Sequence, residues 1–264
     1  MTYEPNLPRT KLAVQIAREA GKLLEAGFGS HFEIKNKEGR HNLVTEYDHK
    51  SEELIHNLIR EDYPDDGILA EEGGNLTEST SGYEWVIDPL DGTVNFAHGI
   101  PMFSVSIGVR KGKEMVLGVV YHPITEELFI AEKGKGAYLN GKKLRVTNTK
   151  TLDDSIISTG FPYNLIEDPL CCIEKLTVFL RKGLPIRRIG VASLDLTYLA
   201  AGRFDGFFEA SLQAWDLAAG KLMVEEAGGI VSDWNGNPLD IDSTQPILLS
   251  NGKIHEEMRA ILKV

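Results

Sequence analysis

The segment 84–99, EWVIDPLDGTVNFAHG, constrains this chain more than any other. Its apolar run Trp85-Val86-Ile87 reads as a buried strand that delivers Asp88 at its exit. Pro89 is expected to break the strand there, and Gly92-Thr93 to open a new turn. Asp88 and Asp91, three residues apart at such an exit, can converge on one point. The backbone N–H groups of Gly92 and Thr93 can do the same if a helix starts there. Carboxylates attract hard divalent cations such as Mg²⁺, and N–H groups at a helix start attract phosphate. Together they suggest metal-assisted phosphoryl chemistry. Asp-Pro and Asp-Gly are also ordinary turn dipeptides, so the segment alone reads equally well as a loop.

With 264 residues the chain can bury a sizeable core. Its 42% hydrophobic and 25% charged content are those of a soluble globular protein. A net charge of −11 argues against nonspecific nucleic-acid binding. It leaves an anionic substrate open, because bound cations invert a local field. Residues 1–12 carry no apolar signal core, and no stretch approaches bilayer length, so neither export nor a membrane is expected. The only cysteines, Cys171 and Cys172, are adjacent and too close for a relaxed disulfide. Two reduced thiols fit a cytoplasmic protein.

Leu12, Ile16, Ala17, Ala20, Leu23 and Leu24 recur at helical spacing and predict a helix over 9–26. A polar, flexible loop is expected over 35–42, and a second helix over 48–60. Strands are expected at 67–71, 84–88, 103–109, 115–121 and 127–131, with a hairpin turn at Asn140-Gly141. The second half alternates. It gives strands at 155–159, 186–189, 205–209 and 246–250, and helices at 168–181, 193–201, 215–227 and 253–262. No linker forces a split, so one unit over 1–264 is expected, an α+β or α/β layering of sheets and helices.

Further carboxylates could meet the first pair. Ile68-Leu69-Ala70 runs into Glu71-Glu72 and a glycine turn. Glu71 continues the strand direction and is favoured as a ligand, whereas Glu72 is read as solvated. Asp216 and Asp48 each fall at a helix start, where a capping role is the default. His98 and His122 lack partners at metal-ligand spacing and read as structural. Lys142-Lys143 and Arg187-Arg188 read as solvated surface, too small for a nucleic-acid footprint.

Two long segments resemble the signatures of a known family. WVIDPLDGTVNFAHGIP resembles the first signature of the inositol monophosphatase family, and WDLAAGKLMVEEAGG resembles its second. The order LVTEYD, LAEEG, DPLDGT and GFFEASLQAWD matches too, from near the N-terminal helix to residue 236. The resemblance implies a layered αβαβα sandwich, a homodimer, and a Mg²⁺-dependent, Li⁺-sensitive phosphomonoesterase. It implies that Glu71, Asp88, Asp91 and the Leu90 carbonyl ligate metal, joined by Asp216 from the other half. Asp48 and Thr93 would orient and activate the attacking water. The Gly92 and Thr93 N–H groups would hold phosphate, and Glu209, Ala192 and Asp91 would face the alcohol. A lysine near the metals is usual in the loop before LVT, and the spacing to Asp48 favours Lys37 over Lys35.

That assignment is physically coherent. A phosphate monoester repels hydroxide, and two cations about 3.5–4 Å apart neutralise it and stabilise both attacking and leaving oxygens. Asp48 could accept a proton through the Thr93 hydroxyl. The run Asn95-Phe96-Ala97-His98-Gly99 resembles the monophosphatase branch, so a small phosphorylated polyol such as inositol monophosphate is the expected substrate. Fructose 1,6-bisphosphate, 3′-phosphoadenosine nucleotides, histidinol phosphate and NADP are the alternatives within the same chemistry. A metal-binding regulatory protein with little turnover is the alternative outside it.

Overall fold

Two N-terminal helices form the outermost layer of the computed structural model, which describes residues 3, 5, 7–37 and 42–263. Residues 38–41 of the loop expected over 35–42 lie outside the described residues. Helix Pro8–Gly27 buries Leu12, Ala13, Ile16, Ala17, Ala20 and Leu24, the stripe that its spacing predicts. Pro8 stands in its first turn, where a missing N–H costs nothing. Helix Glu46–Asp62 begins after Thr45, whose hydroxyl accepts the Tyr47 N–H. Both helices cover one face of an eight-stranded sheet.

The strand order in that sheet is Lys142–Lys143, Gly136–Leu139, Glu127–Glu132, Glu114–His122, Ser104–Lys111, Tyr83–Asp91, Gly67–Ala70 and Gly74–Thr77. Among the described residues of this sheet, only the pairing of Gly67–Ala70 with Tyr83–Asp91 is parallel. Successive side chains of a strand face opposite sides. Trp85 and Ile87 therefore enter the core under the N-terminal helices, while Val86 enters the core on the other side.

That second core holds helices Ala192–Ala200 and Ala214–Glu226. Ala214–Glu226 is apolar on most of its surface, as a helix enclosed between two sheets must be. The second sheet has five strands, in the order Ile186–Arg187, Ile157–Thr159, Gly206–Glu209, Ile247–Ser250 and Ile230–Ser232. Phe207 and Leu249 point from it to the enclosed helices. Phe208 and Leu248 point outward, where helices Cys172–Arg181 and His255–Leu262 close the far side. The layers run helix, sheet, helix, sheet, helix, so the expected αβαβα sandwich is the observed one.

Some local expectations are corrected. Pro89 does not end its strand, which runs on to Asp91. Asp88 pairs with Ser106 and Asp91 with Ser104, so three steps on one strand oppose two on its neighbour. Pro89 thus sits in a bulge, where a missing N–H is tolerated. Residues 35–36 of the loop expected over 35–42 instead belong to strand Ile34–Asn36, which pairs with Leu43–Thr45. Strands Gly74–Thr77 and Ile230–Ser232 are too short to be read from sequence. The helix expected over 168–181 begins only at Cys172.

Candidate active site

The bulge brings Asp88 and Asp91 together. In an unbroken strand, residues three apart face opposite sides. One extra residue between them restores a common side. The Leu90 N–H donates to Asp88 Oδ1 at 3.0 Å and fixes that carboxylate. Behind the bulge, Ser51 donates its hydroxyl to the Pro89 carbonyl at 2.8 Å.

Asp216 arrives from the other half of the chain. It is not the N-cap of its helix but the third residue, since Gln213 caps a helix that starts at Ala214. Its Oδ2 accepts the Gln213 N–H at 2.8 Å. Asp88, Asp91 and Asp216 each present an oxygen within 4.8 Å of the others. Asp91 is anchored across the same gap, its Oδ2 accepting the Ser193 N–H at 2.7 Å near the start of helix Ala192–Ala200.

A cavity of about 810 Å³ opens over this group. Glu71, Leu90, Gly92 and Thr93 line it from the first half of the chain, and Ala192, Glu209 and Asp216 from the second. Gly92 has φ +94°, and a Cβ there would lie 2.8 Å from Val191 Cγ2, so glycine is required at that turn. A single turn of helix, Thr93–Ala97, follows it.

Asp48 lies behind Thr93, fully buried and outside the cavity lining. Like Asp216 it is the third residue of its helix, not the cap. Its Oδ2 accepts the Thr45 N–H at 2.8 Å and the Thr45 hydroxyl at 2.6 Å. Its Oδ1 lies 2.9 Å from Thr93 Oγ1, whose single proton can go there or to the Leu90 carbonyl at 3.1 Å. The capping reading of Asp48 therefore describes one of its two oxygens.

Glu71 follows the end of strand Gly67–Ala70, and its N–H still donates to the Ile87 carbonyl at 3.2 Å. Of the two candidate lysines, Lys37 reaches the site, with Nζ 2.9 Å from Glu71 Oε1. Lys35 pairs with Glu33 at the surface. Lys37 also pairs with Glu72, whose side chain is only 6% exposed. Glu72 is therefore not solvated, because a lysine from a distant strand end covers it.

Burial and like charges dominate the electrostatics. Burial, then the charges of Glu71, Asp91 and Asp216, push Asp88 well above the usual carboxylate range. Burial also raises Asp91, to about 6, against the hydrogen bonds from Ser193. Asp216 is raised well above its ordinary value by burial and then by Asp91. Burial raises Glu72 to about 7 despite Lys37. Burial raises Asp48 too, opposed by the Thr45 and Thr93 hydrogen bonds. A cluster of carboxylates that resists ionising together is poised to receive a cation. The donors are all oxygens, with no histidine or cysteine among them, which fits a hard divalent ion.

Three lining residues escaped the sequence reading. Arg188, read as solvated, lines the cavity with its guanidinium carbon 5.8 Å from the centre of the Phe161 ring. Asp195 is buried on the inner side of helix Ala192–Ala200. Gly160 lines the wall beside Glu209. None has a local sequence signal; each is placed by an element distant in sequence. His122 is buried and His98 exposed, and neither lines the cavity.

Fold and site together define a five-layered protein with a carboxylate-lined cavity between its two halves. The model of the inositol monophosphatase family matches residues 6–263, and the chain belongs to that family. It is 40% identical to the inositol-1-monophosphatase of Caulobacter vibrioides over 248 residues, which cover 93% of this chain and 97% of that protein. It is 43% identical to Nus factor SuhB of Escherichia coli K12 over 230 residues, 87% of this chain and 86% of that protein. The crystal structure of the extragenic suppressor protein suhB from Bartonella henselae superposes with a TM-score of 0.91 at 40% identity, covering 97% and 99% of the two chains. Among the described residues, no helix is long and apolar enough to cross a membrane.

Proposed function

We propose that this chain is a Mg²⁺-dependent phosphomonoesterase that hydrolyses a small polyol phosphate, inositol monophosphate first among them. The observation that carries this reading is the convergence of Asp88, Asp91 and Asp216 within 4.8 Å, on a cavity that Thr93 also lines with its partner Asp48 behind it. Membership of the inositol monophosphatase family and the name of the Caulobacter relative, an inositol-1-monophosphatase, support it.

Glu71, Asp88, Asp91, Asp216 and the Leu90 carbonyl are the groups that would hold the metal. When bound, Mg²⁺ supplies charge neutralisation at the phosphate and activation of a water. The residues of the chain supply the rest. Thr93 gives its hydroxyl proton to Asp48 Oδ1, which leaves its oxygen free to take a proton from an attacking water. Burial makes Asp48 a stronger base than an exposed aspartate. The Gly92 and Thr93 N–H groups orient the phosphate, and Glu209, Ala192 and Asp91 face the alcohol. No covalent phosphoenzyme is required.

The test is phosphate release from a panel of small esters, with and without Mg²⁺. Release that requires Mg²⁺, stops with EDTA and is fastest on inositol monophosphate is the expected result. Full turnover by metal-stripped protein would contradict the metal assignment. The expected homodimer is checked by sedimentation. The name Nus factor SuhB favours a second reading, a metal-binding regulatory protein. Metal binding without phosphate release from any ester would select it.

A further inference from the structure

Glu209 ends strand Gly206–Glu209, and its carboxylate lies against Gly160 on the neighbouring strand exit. The parallel register explains why. Ile157 pairs with Gly206, Ser158 with Phe207 and Thr159 with Phe208, so position 160 continues the pairing beside Glu209. The Thr159 hydroxyl donates to the Phe208 carbonyl at 2.7 Å and pins the two strands together at that point. Neighbouring residues on paired strands send their side chains to the same face. Both positions line the cavity.

A Cβ at residue 160 would lie 2.1 Å from Glu209 Oε2, 2.6 Å from Cδ and 2.8 Å from Oε1. Those are the three nearest atoms, and all belong to that one carboxylate. Gly160 does not have the left-handed backbone that would itself demand glycine. The nearest obstacle to a side chain at this position is therefore the Glu209 carboxylate. Glu209 is 6% exposed and lines the cavity, so a methyl at residue 160 would push its carboxylate off this spot.

We propose that Gly160 is a specificity-determining position: by having no side chain it leaves the space in which the Glu209 carboxylate lies against the cavity wall and meets the hydroxyls of a polyol phosphate. The inference rests on the phosphatase reading above and adds the residue that positions its alcohol-binding group. A site that hydrogen-bonds a hydroxyl discriminates strongly against analogues lacking it. Displacing the acceptor should therefore weaken a polyol phosphate far more than an ester without hydroxyls.

The experiment compares kcat/KM on inositol 1-phosphate and on p-nitrophenyl phosphate at saturating Mg²⁺. The ratio of the two is measured for the wild type, Gly160→Ala, Glu209→Ala, the double alanine variant and Gly160→Ala with Glu209→Asp. Gly160→Ala should lower the ratio about tenfold, the loss of one good hydrogen bond, through KM for inositol 1-phosphate. On the Glu209→Ala background the same change should add nothing. Aspartate at 209, one methylene shorter, should recover part of the loss caused by Gly160→Ala. An unchanged ratio in Gly160→Ala, or full additivity with Glu209→Ala, overturns the proposal while leaving the phosphatase reading intact. Absence of phosphate release by the wild type on either ester overturns that reading and this inference with it.

Discussion

Thr93 Oγ1 lies 2.9 Å from Asp48 Oδ1, across 45 residues of sequence, and this hydrogen bond joins a helix of the outer layer to the cavity wall. Asp48 is held from the other side by Thr45, so the carboxylate cannot swing away when the hydroxyl proton moves toward it. Thr93→Ala removes the hydroxyl that links Asp48 to the cavity lining. We expect kcat to fall about 10²–10⁴-fold, the range of a general-base contribution, with KM little changed. Steady-state kinetics decide it. A change confined to KM would make Thr93 a substrate-binding residue.

Asp88 lies with Glu71, Asp91 and Asp216, and burial together with their like charges holds its carboxyl well above the usual range. Asp88→Asn should cut kcat by several orders of magnitude at saturating Mg²⁺. The same change removes a repelled charge from the metal-free protein. Its melting temperature in EDTA should therefore rise by a few degrees, at about 2–4 °C per kcal/mol for a chain of this size. Calorimetry with and without metal reads both effects. A lower melting temperature in EDTA would mean that repulsion is not what Asp88 contributes.

Li⁺ should inhibit, and more strongly at high substrate. A monovalent ion in place of Mg²⁺ would hold phosphate with too little charge to support turnover. Initial rates across a Li⁺ series settle the matter. Unchanged rates on the order of tens of millimolar would place this chain outside the sensitive branch.

The sequence revealed elements whose signal is local. Helix Pro8–Gly27 shows its buried stripe directly, and Trp85-Val86-Ile87 shows its strand. The carboxylates were visible as motifs, but how they meet was not. Proline usually ends a strand, and here a bulge absorbs Pro89 and turns Asp88 and Asp91 to one side. Asp48 and Asp216 looked like caps because each does brace a helix start, with one oxygen. Glu72 looked solvated because its partner, Lys37, comes from a strand end 35 residues away. Arg188 and Gly160 owe their places to sheet pairing and packing, which a local pattern does not encode.

Asp66 links the N-terminal helix to the first sheet and sets an acid limit on stability. Burial would raise its carboxyl, but hydrogen bonds from Arg9, Ser81 and Trp85 outweigh burial and hold it below the ordinary value. A depressed carboxylate stabilises the fold fully above the unfolded value of about 3.9 and loses that stabilisation as pH falls through the folded value. Asp66→Asn should cost about 1–3 kcal/mol at neutral pH. The gap to wild type should close as pH drops below about 4. Urea unfolding at pH 7 and at acid pH checks this, and a gap that stays constant with pH would remove the charge from the explanation.

Glu52 governs the turn that presents Glu71. It sits on helix Glu46–Asp62, nearly buried, and its Oε2 accepts the Glu72 N–H at 2.9 Å. That bond ties the residue after Glu71 to a rigid helix, while Lys37 holds the Glu71 side chain from the cavity side. Glu52→Ala leaves the N–H without its acceptor and frees the turn. Groups that orient a metal ligand typically matter about 10–100-fold in metal affinity. The half-saturating Mg²⁺ concentration should rise by that order, with kcat at saturating metal much less affected. Glu52→Gln keeps an acceptor oxygen and should recover most of the loss, which a general packing defect would not predict. Identical Mg²⁺ dependence in Glu52→Ala and wild type would show that Glu71 is positioned without Glu52.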